Sequence, residues 1–143
     1  MYMKKSNLIL LTLATAALLA AGCTSTYDKG PYLPEPSQTP AYENTAPVVL
    51  LDPGVQFSLT CTGVSERVLP DGRLEVIAQL RNRENRRIEV QANCVFKDAA
   101  GVATGDETPF IPVILTENST EQVKFVSINA LAKKYTIRVR QAR

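Results

Sequence analysis

The sequence lacks histidine and tryptophan altogether, and only three of its 143 residues are cysteines. Histidine is the commonest general base near neutral pH and the commonest metal ligand, and a cysteine nucleophile also needs such a base. We therefore expect no enzyme, no metal site and no cofactor. The adjacent acidic residues Asp106 and Glu107 are interpreted as a solvated loop, in preference to metal ligands or a glycosidase pair.

Net charge is also small, with 16 basic side chains (Lys and Arg) against 14 acidic ones (Asp and Glu). Removal of residues 1–22 would take away Lys4 and Lys5 and leave 14 of each sign. Proteins that bind nucleic acid usually carry a strong basic excess, so nucleic acid is not expected as a partner.

Long apolar runs are missing except near the N-terminus, at residues 8–21. This run is shorter than the roughly 20 residues of a membrane-spanning helix, and after Lys4 and Lys5 it fits the apolar region of a secretory signal. It ends in Leu19-Ala20-Ala21-Gly22-Cys23, which resembles a bacterial lipobox. The resemblance implies that Cys23 is lipidated with a diacylglyceryl thioether, becomes the first residue and is then N-acylated, which would anchor the chain firmly in a membrane. An ordinary secretory signal with a chance cysteine is the alternative.

The lipobox also predicts the location and the first half of the domain organisation. Thr24 follows the cysteine, which resembles the default route to the outer membrane, so we expect the protein in the bacterial cell envelope, at the inner leaflet of the outer membrane and facing the periplasm. Residues 23–47 contain five of the nine prolines, which disfavour helices and sheet ladders. We predict a signal peptide at 1–22, a disordered, semi-rigid linker at 23–47 that reaches roughly 75 Å, and a folded domain at 48–143.

Apolar and polar residues alternate with a period of two in the runs 55–61, 74–81, 88–97, 122–125 and 135–140. This alternation is typical of strands with one buried face, and it places Phe57 on the inward face of the first strand. The apolar run 110–115 contains Pro112, which predicts an edge strand, and 129–134 is expected to form one helical turn. No long amphipathic helix is available to cover a sheet. The sequence therefore predicts an all-β fold, an immunoglobulin-like antiparallel β-sandwich of six to seven strands, with a small barrel as the alternative.

The stretch VIAQLRNRENRRIEVQANCVFKDAAGV, residues 76–102, combines a hairpin at Asn82 with a turn at Asp98 and Gly101, and the final strand ends at Arg140. This layout, over residues 55–140, resembles the YcfL-like periplasmic lipoproteins. The resemblance implies an immunoglobulin-like fold and an envelope role of poorly defined function. It brings no catalytic residues with it.

Cys61 and Cys94 both fall on the apolar phase of their strands. They are either a disulfide or two buried thiols. The oxidising periplasm favours the disulfide, provided that the two strands face each other across the sandwich.

Arginines flank one predicted hairpin and recur on the solvent phase of the last strand. These residues are Arg81, Arg83, Arg86, Arg87, Arg138 and Arg140. Guanidinium groups suit bidentate contacts with carboxylate or phosphate, so the cluster is the candidate surface for an anionic partner, a periplasmic protein or the cell wall. Because Glu84 and Glu89 lie beside the arginines, a solvated charged edge that blocks strand addition is the favoured interpretation.

Together these features predict a membrane-anchored envelope lipoprotein that presents a small sandwich as a binding or scaffold module. A minor envelope enzyme, or a cell-wall-binding protein acting on an anionic glycan, is the alternative function.

Overall fold

The computed structural model describes residues 45–142, which lie within one compact unit of the chain, Ser37–Arg143. The predicted signal peptide, Cys23 and the predicted linker up to residue 44 lie outside the described residues. No helix in the described part is long and apolar enough to span a membrane. The elements in chain order are β1 (Val48–Leu50), α1 (Pro53–Ser58), β2 (Leu59–Val68), β3 (Leu74–Asn82), β4 (Ile88–Lys97), β5 (Ala103–Glu107), β6 (Ile111–Leu115), β7 (Thr120–Val126) and β8 (Lys134–Gln141).

The eight strands form two sheets. In one sheet the order is β1-β8-β4, and β5 and β6 lie end to end along the other edge of β4. The other sheet has the order β2-β3-β7. The two short strands share one edge because β5 pairs with the C-terminal half of β4 and β6 with the N-terminal half. Only β1 pairs in parallel, with β8. The predicted β-sandwich is confirmed with eight strands in place of six or seven, and the barrel alternative is wrong.

The core lies between the two sheets and is built by the period-two alternation. Val76 and Leu80 of β3 and Phe96 of β4 are fully buried, and so is Ile137 of β8. Each such side chain contributes about 1.5–3 kcal/mol on transfer from water. Pro112 lies in β6, which pairs only with β4, so the predicted edge position is confirmed.

The prediction of a strand from Val55 is wrong for its first four residues, which belong to helix α1. Pro53 at the start of the helix already has a helical φ, and the Gln56 N–H donates to the Asp52 carbonyl at 3.1 Å. The helical turn buries Val55 but leaves Phe57 76% exposed. Strand β2 begins only at Leu59, and its register with β3 shifts between Cys61 and Gly63.

The predicted helical turn at 129–134 is also wrong. The Asn129 side chain accepts from the Leu131 N–H at 2.9 Å and closes a local turn that leads directly into β8. Asparagine side chains favour such turns as readily as helix caps, so the sequence signal was ambiguous.

The sandwich has two distinct ends, which we call the entry end and the arginine end. The entry end contains residues 45–47 and the turns 69–73, 98–102 and 127–133, whereas the arginine end contains α1 and the turns 83–87 and 116–119. The ten residues of β4 run from one end to the other, a length of roughly 30 Å.

Candidate functional site: an arginine turn at one end of the sandwich

A single buried amide, Asn82, shapes the β3–β4 turn. Its Nδ2 donates to the carbonyls of Arg86 at 2.7 Å and Thr116 at 2.8 Å, and its Oδ1 accepts from the Glu84 N–H at 2.9 Å. Only an amide side chain combines two donors with an acceptor in this way. Asn82 therefore fixes the turn 83–87, which we call the arginine turn, and joins it to the neighbouring turn at 116–119.

Glu84 ties the same turn to helix α1. Its carboxylate accepts from the Ser58 hydroxyl and pairs with the Arg86 guanidinium. The Ser58 hydrogen bond, followed by the Arg86 contact, lowers the pKa of Glu84 below its ordinary value. The Arg83 N–H also donates to the Ser58 carbonyl at 2.8 Å, so the turn and the helix form one surface.

A cleft of about 280 Å³ opens between the turn, the helix and the end of β8. It is lined by Gly54, Val55, Ser58, Arg86, Arg87, Ile88, Glu89, Val90, Gln141 and Ala142. Arg83 and Arg87 are exposed and form no ion pair with any residue in 45–142. Their guanidinium groups are therefore available for a carboxylate or phosphate from outside.

Arg138 and Arg140, by contrast, are occupied on the outer face of the β1-β8-β4 sheet. The Arg140 guanidinium stacks 3.7 Å from the centroid of the Phe110 ring, and its Nε donates to Gln91 at 2.9 Å. Arg138 pairs with Glu107. These contacts hold the β5–β6 connection against the sheet. Arg138 and Arg140 are thus already engaged within the sandwich, and a role for them in partner binding stays a prediction.

The structure therefore divides the six predicted arginines. Arg83, Arg86 and Arg87 come together in one turn, whereas Arg81 lies on the outer face of the other sheet, paired in register with Thr120. Strand alternation alone could not show this division, because it reports the face of a residue but not the partners around it.

Cys61 and Cys94 are both free thiols in the structure. Their strands lie in opposite sheets, as a bridge would require, but Cys61 is half-buried and its Sγ contacts the Gly63 carbonyl at 3.4 Å. Burial, and secondarily the Asp106 carboxylate, raises the pKa of Cys94 to about 12. The Cys94 thiol is therefore protonated at neutral pH, and the disulfide stays a prediction.

The interpretation of Asp106 as a solvated loop residue is wrong. It is 4% exposed in β5, and its Oδ2 accepts from the Ile128 N–H at 2.6 Å, while its Oδ1 has no hydrogen-bond partner among residues 45–142. Glu107, the next residue, is exposed and pairs with Arg138. Within the described residues no group of three or more Cys, Asp or Glu side chains could hold a metal ion.

No family model matches the chain, and no curated protein matches it either. Two solved structures share its fold. Campylobacter jejuni cj0090 is 13% identical with a TM-score of 0.54, and the match covers 67% of this chain and 98% of that one. A DUF1425 family member from Shewanella sp. pv-4 is 21% identical with a TM-score of 0.54, covering 59% of this chain and 79% of that one. At these identities the similarity establishes the fold alone.

Proposed function

We propose that the protein is a lipid-anchored module of the bacterial envelope that binds an anionic partner protein through its arginine end, as a YcfL-like lipoprotein. The observation that carries this proposal is the arrangement of the two ends. The chain enters the sandwich at residues 45–47, and Arg83, Arg86 and Arg87 lie at the opposite end, roughly 30 Å away. With a linker of up to roughly 75 Å, the arginine turn would reach roughly 100 Å from an anchor at Cys23.

The chemistry of the arginine end favours an acidic protein surface over an anionic glycan. Phe57 projects from α1 with 76% of its surface exposed, one residue before the Ser58 that holds Glu84. Exposed aromatic residues and arginines together are typical of the centres of protein interfaces. The rigid connection of the turn to α1 also means that little conformational entropy is lost on binding.

Crosslinking in intact cells tests this proposal. A photo-reactive amino acid is introduced at position 57. The yield of crosslinked partner is compared between the otherwise unchanged chain and Arg83→Glu/Arg87→Glu, which reverses the two unpaired charges of the turn. The matched control, called the sheet variant, is Arg81→Glu/Lys124→Glu, which makes the same change in charge on the exposed outer face of the β2-β3-β7 sheet. We expect a discrete crosslinked protein that is lost only in the arginine variant.

Equal capture by the arginine variant would contradict the proposal, as would capture of glycan in place of protein. Far-UV circular dichroism of both variants checks that the sandwich is intact.

A further inference from the structure

The loop between β7 and β8, residues 127–133, has a well-defined shape that exposes its large apolar residues. Asp106 accepts from the Ile128 N–H at 2.6 Å, and Asn129 accepts from the Leu131 N–H at 2.9 Å. Ala132 is buried, whereas Ile128 is 78% exposed and Leu131 64% exposed. The loop thus buries Ala132 and presents its two large apolar side chains to the outside.

Further apolar residues are exposed on the neighbouring turns of the entry end. Val68 is 64% exposed where β2 ends, and Val102 is 62% exposed at the start of β5. Of the five most exposed large apolar residues in 45–142, four lie at this end and only Phe57 at the other. Single exposed apolar residues are common on soluble proteins, but a concentration at one end is a mark of an interaction surface.

The turns that carry these residues are in contact with each other. A Cβ built on Gly72 would lie 3.0 Å from the Ala130 Cβ, so the β2–β3 turn touches the loop. The Lys133 N–H donates to the Lys97 carbonyl at 2.8 Å, which joins the loop to the end of β4. The turns that carry the apolar residues therefore meet at this end of the sandwich.

Positive charge borders this surface. Lys133 is the last residue of the loop and Lys134 the first of β8. Both are exposed, and they line an open cleft of about 510 Å³ together with Tyr135 and Glu66. Among the acidic side chains nearby, Asp71 is neutralised by its pair with Arg73. Asp98 accepts from the Val102 N–H at 3.0 Å, which holds its carboxylate on its own turn. Apolar side chains beside lysines are the composition of surfaces that dock at the interface of anionic bilayers.

The chain also enters the sandwich at this end. The Pro47 carbonyl accepts from the Ile137 N–H at 2.8 Å, and the Ala46 carbonyl accepts from the Thr136 hydroxyl at 3.2 Å. The residues that precede position 45, with the predicted lipid at Cys23, therefore attach to the end that carries the apolar residues and the lysines.

We infer that the entry end is a membrane-docking surface, in which Ile128 and Leu131 insert at the interface of an anionic phospholipid bilayer while Lys133 and Lys134 contact headgroup phosphates. The inference rests on the proposed anchoring, because an attached lipid would hold the domain at a high effective concentration near the bilayer, where this surface makes its contact. Docked in this way, the domain would hold its arginine end roughly 30 Å from the lipid, and the reach of roughly 100 Å would apply only to the undocked domain.

Vesicle binding by residues 24–143 tests this inference without the lipid. This segment contains the whole compact unit 37–143, and all of the described core residues lie within it. Because the chain has no tryptophan, Ile128→Trp supplies a single fluorescent reporter at the surface. Phe57→Trp is the matched control, since it places the same reporter at an exposed apolar position of the other end.

With phosphatidylglycerol vesicles we expect a blue shift for Ile128→Trp and none for Phe57→Trp. Co-sedimentation should fall about tenfold or more in Ile128→Ser/Leu131→Ser, and it should fall when salt is raised or when phosphatidylcholine replaces phosphatidylglycerol. Three results would each overturn the inference. They are no binding of the unchanged segment, equal co-sedimentation of Ile128→Ser/Leu131→Ser, and an equal blue shift of the Phe57→Trp fluorescence. Arg83→Glu/Arg87→Glu should bind vesicles normally. If the membrane-docking inference fails, the proposal for the arginine end is unaffected, because the crosslinking experiment tests it separately.

Discussion

Truncation of Asn82 to alanine should destabilise the domain more than almost any other single polar substitution. Asn82→Ala removes three hydrogen bonds of 2.7, 2.8 and 2.9 Å, and it leaves the carbonyls of Arg86 and Thr116 and the N–H of Glu84 without these partners. At about 1 kcal/mol for each bond, the free energy of unfolding should fall by about 3 kcal/mol. This loss is a large part of the total for a small domain, which is typically about 5–15 kcal/mol.

The assay is urea unfolding followed by far-UV circular dichroism, because the chain has no tryptophan to report by fluorescence. Asn85→Ala is the matched control, since Asn85 lies in the same turn but is exposed and shares one hydrogen bond, of 2.9 Å, with Asn118. We expect the control to lose less than about 1 kcal/mol. An Asn82→Ala variant no less stable than Asn85→Ala would refute the role assigned to the buried amide.

A second variant at the same position, Asn82→Asp, adds a dependence on pH. The new carboxyl has the shape of the amide but cannot donate when ionised, and it would face the two carbonyls that Asn82 now binds. Burial beside those carbonyls raises the carboxyl pKa in the folded state above its unfolded value of about 3.9. The folded state then holds the proton more tightly, so stability is present at low pH and is lost as the pH rises above about 4. A cost that is equal at pH 4 and pH 7 would argue against this environment.

Three further predictions follow from other parts of the molecule. Burial raises the pKa of Cys94 from 9.0 to about 12, so the folded state keeps the thiol proton to a higher pH than the unfolded state does. The free energy of unfolding should therefore fall between pH 9 and pH 12. Urea titrations at several pH values should show a smaller fall for Cys94→Val. Phe110→Ala removes the ring under Arg140 and should cost about 1–2 kcal/mol in thermal or urea unfolding, whereas an unchanged stability would show that the β5–β6 connection does not need the stack. Cys23→Ser should abolish incorporation of a fatty-acid analogue in growing cells and release the protein from membranes, and equal labelling of both forms would exclude lipidation at this residue.

Local sequence patterns determined the class of fold. Residues 74–81 and 88–97 alternate apolar and polar side chains, and because a strand turns successive side chains to opposite faces, this pattern specifies a buried face without any knowledge of neighbours. Pro112 argued against a central strand for 111–115 in the same local way, since proline has no N–H to donate to a ladder. The same alternation continues through 55–58, but Pro53 favours a helical start there and Phe57 follows the helix to the surface, so the pattern predicted a strand that does not form.

The candidate site depended on contacts between residues far apart in the chain, which the tertiary structure alone decides. Asn82 binds Thr116 because the turns 83–87 and 116–119 meet at one end of the sandwich, and Arg140 is occupied because β5 and β6 share one edge of β4 and bring Phe110 beneath it. Asp106 is buried for a similar reason, since its carboxylate accepts a hydrogen bond from the N–H of Ile128, which lies 22 residues away in the sequence. A period of two assigns each residue to a face, but strand order and register assign its neighbours, and the neighbours determine which charges stay open to a partner.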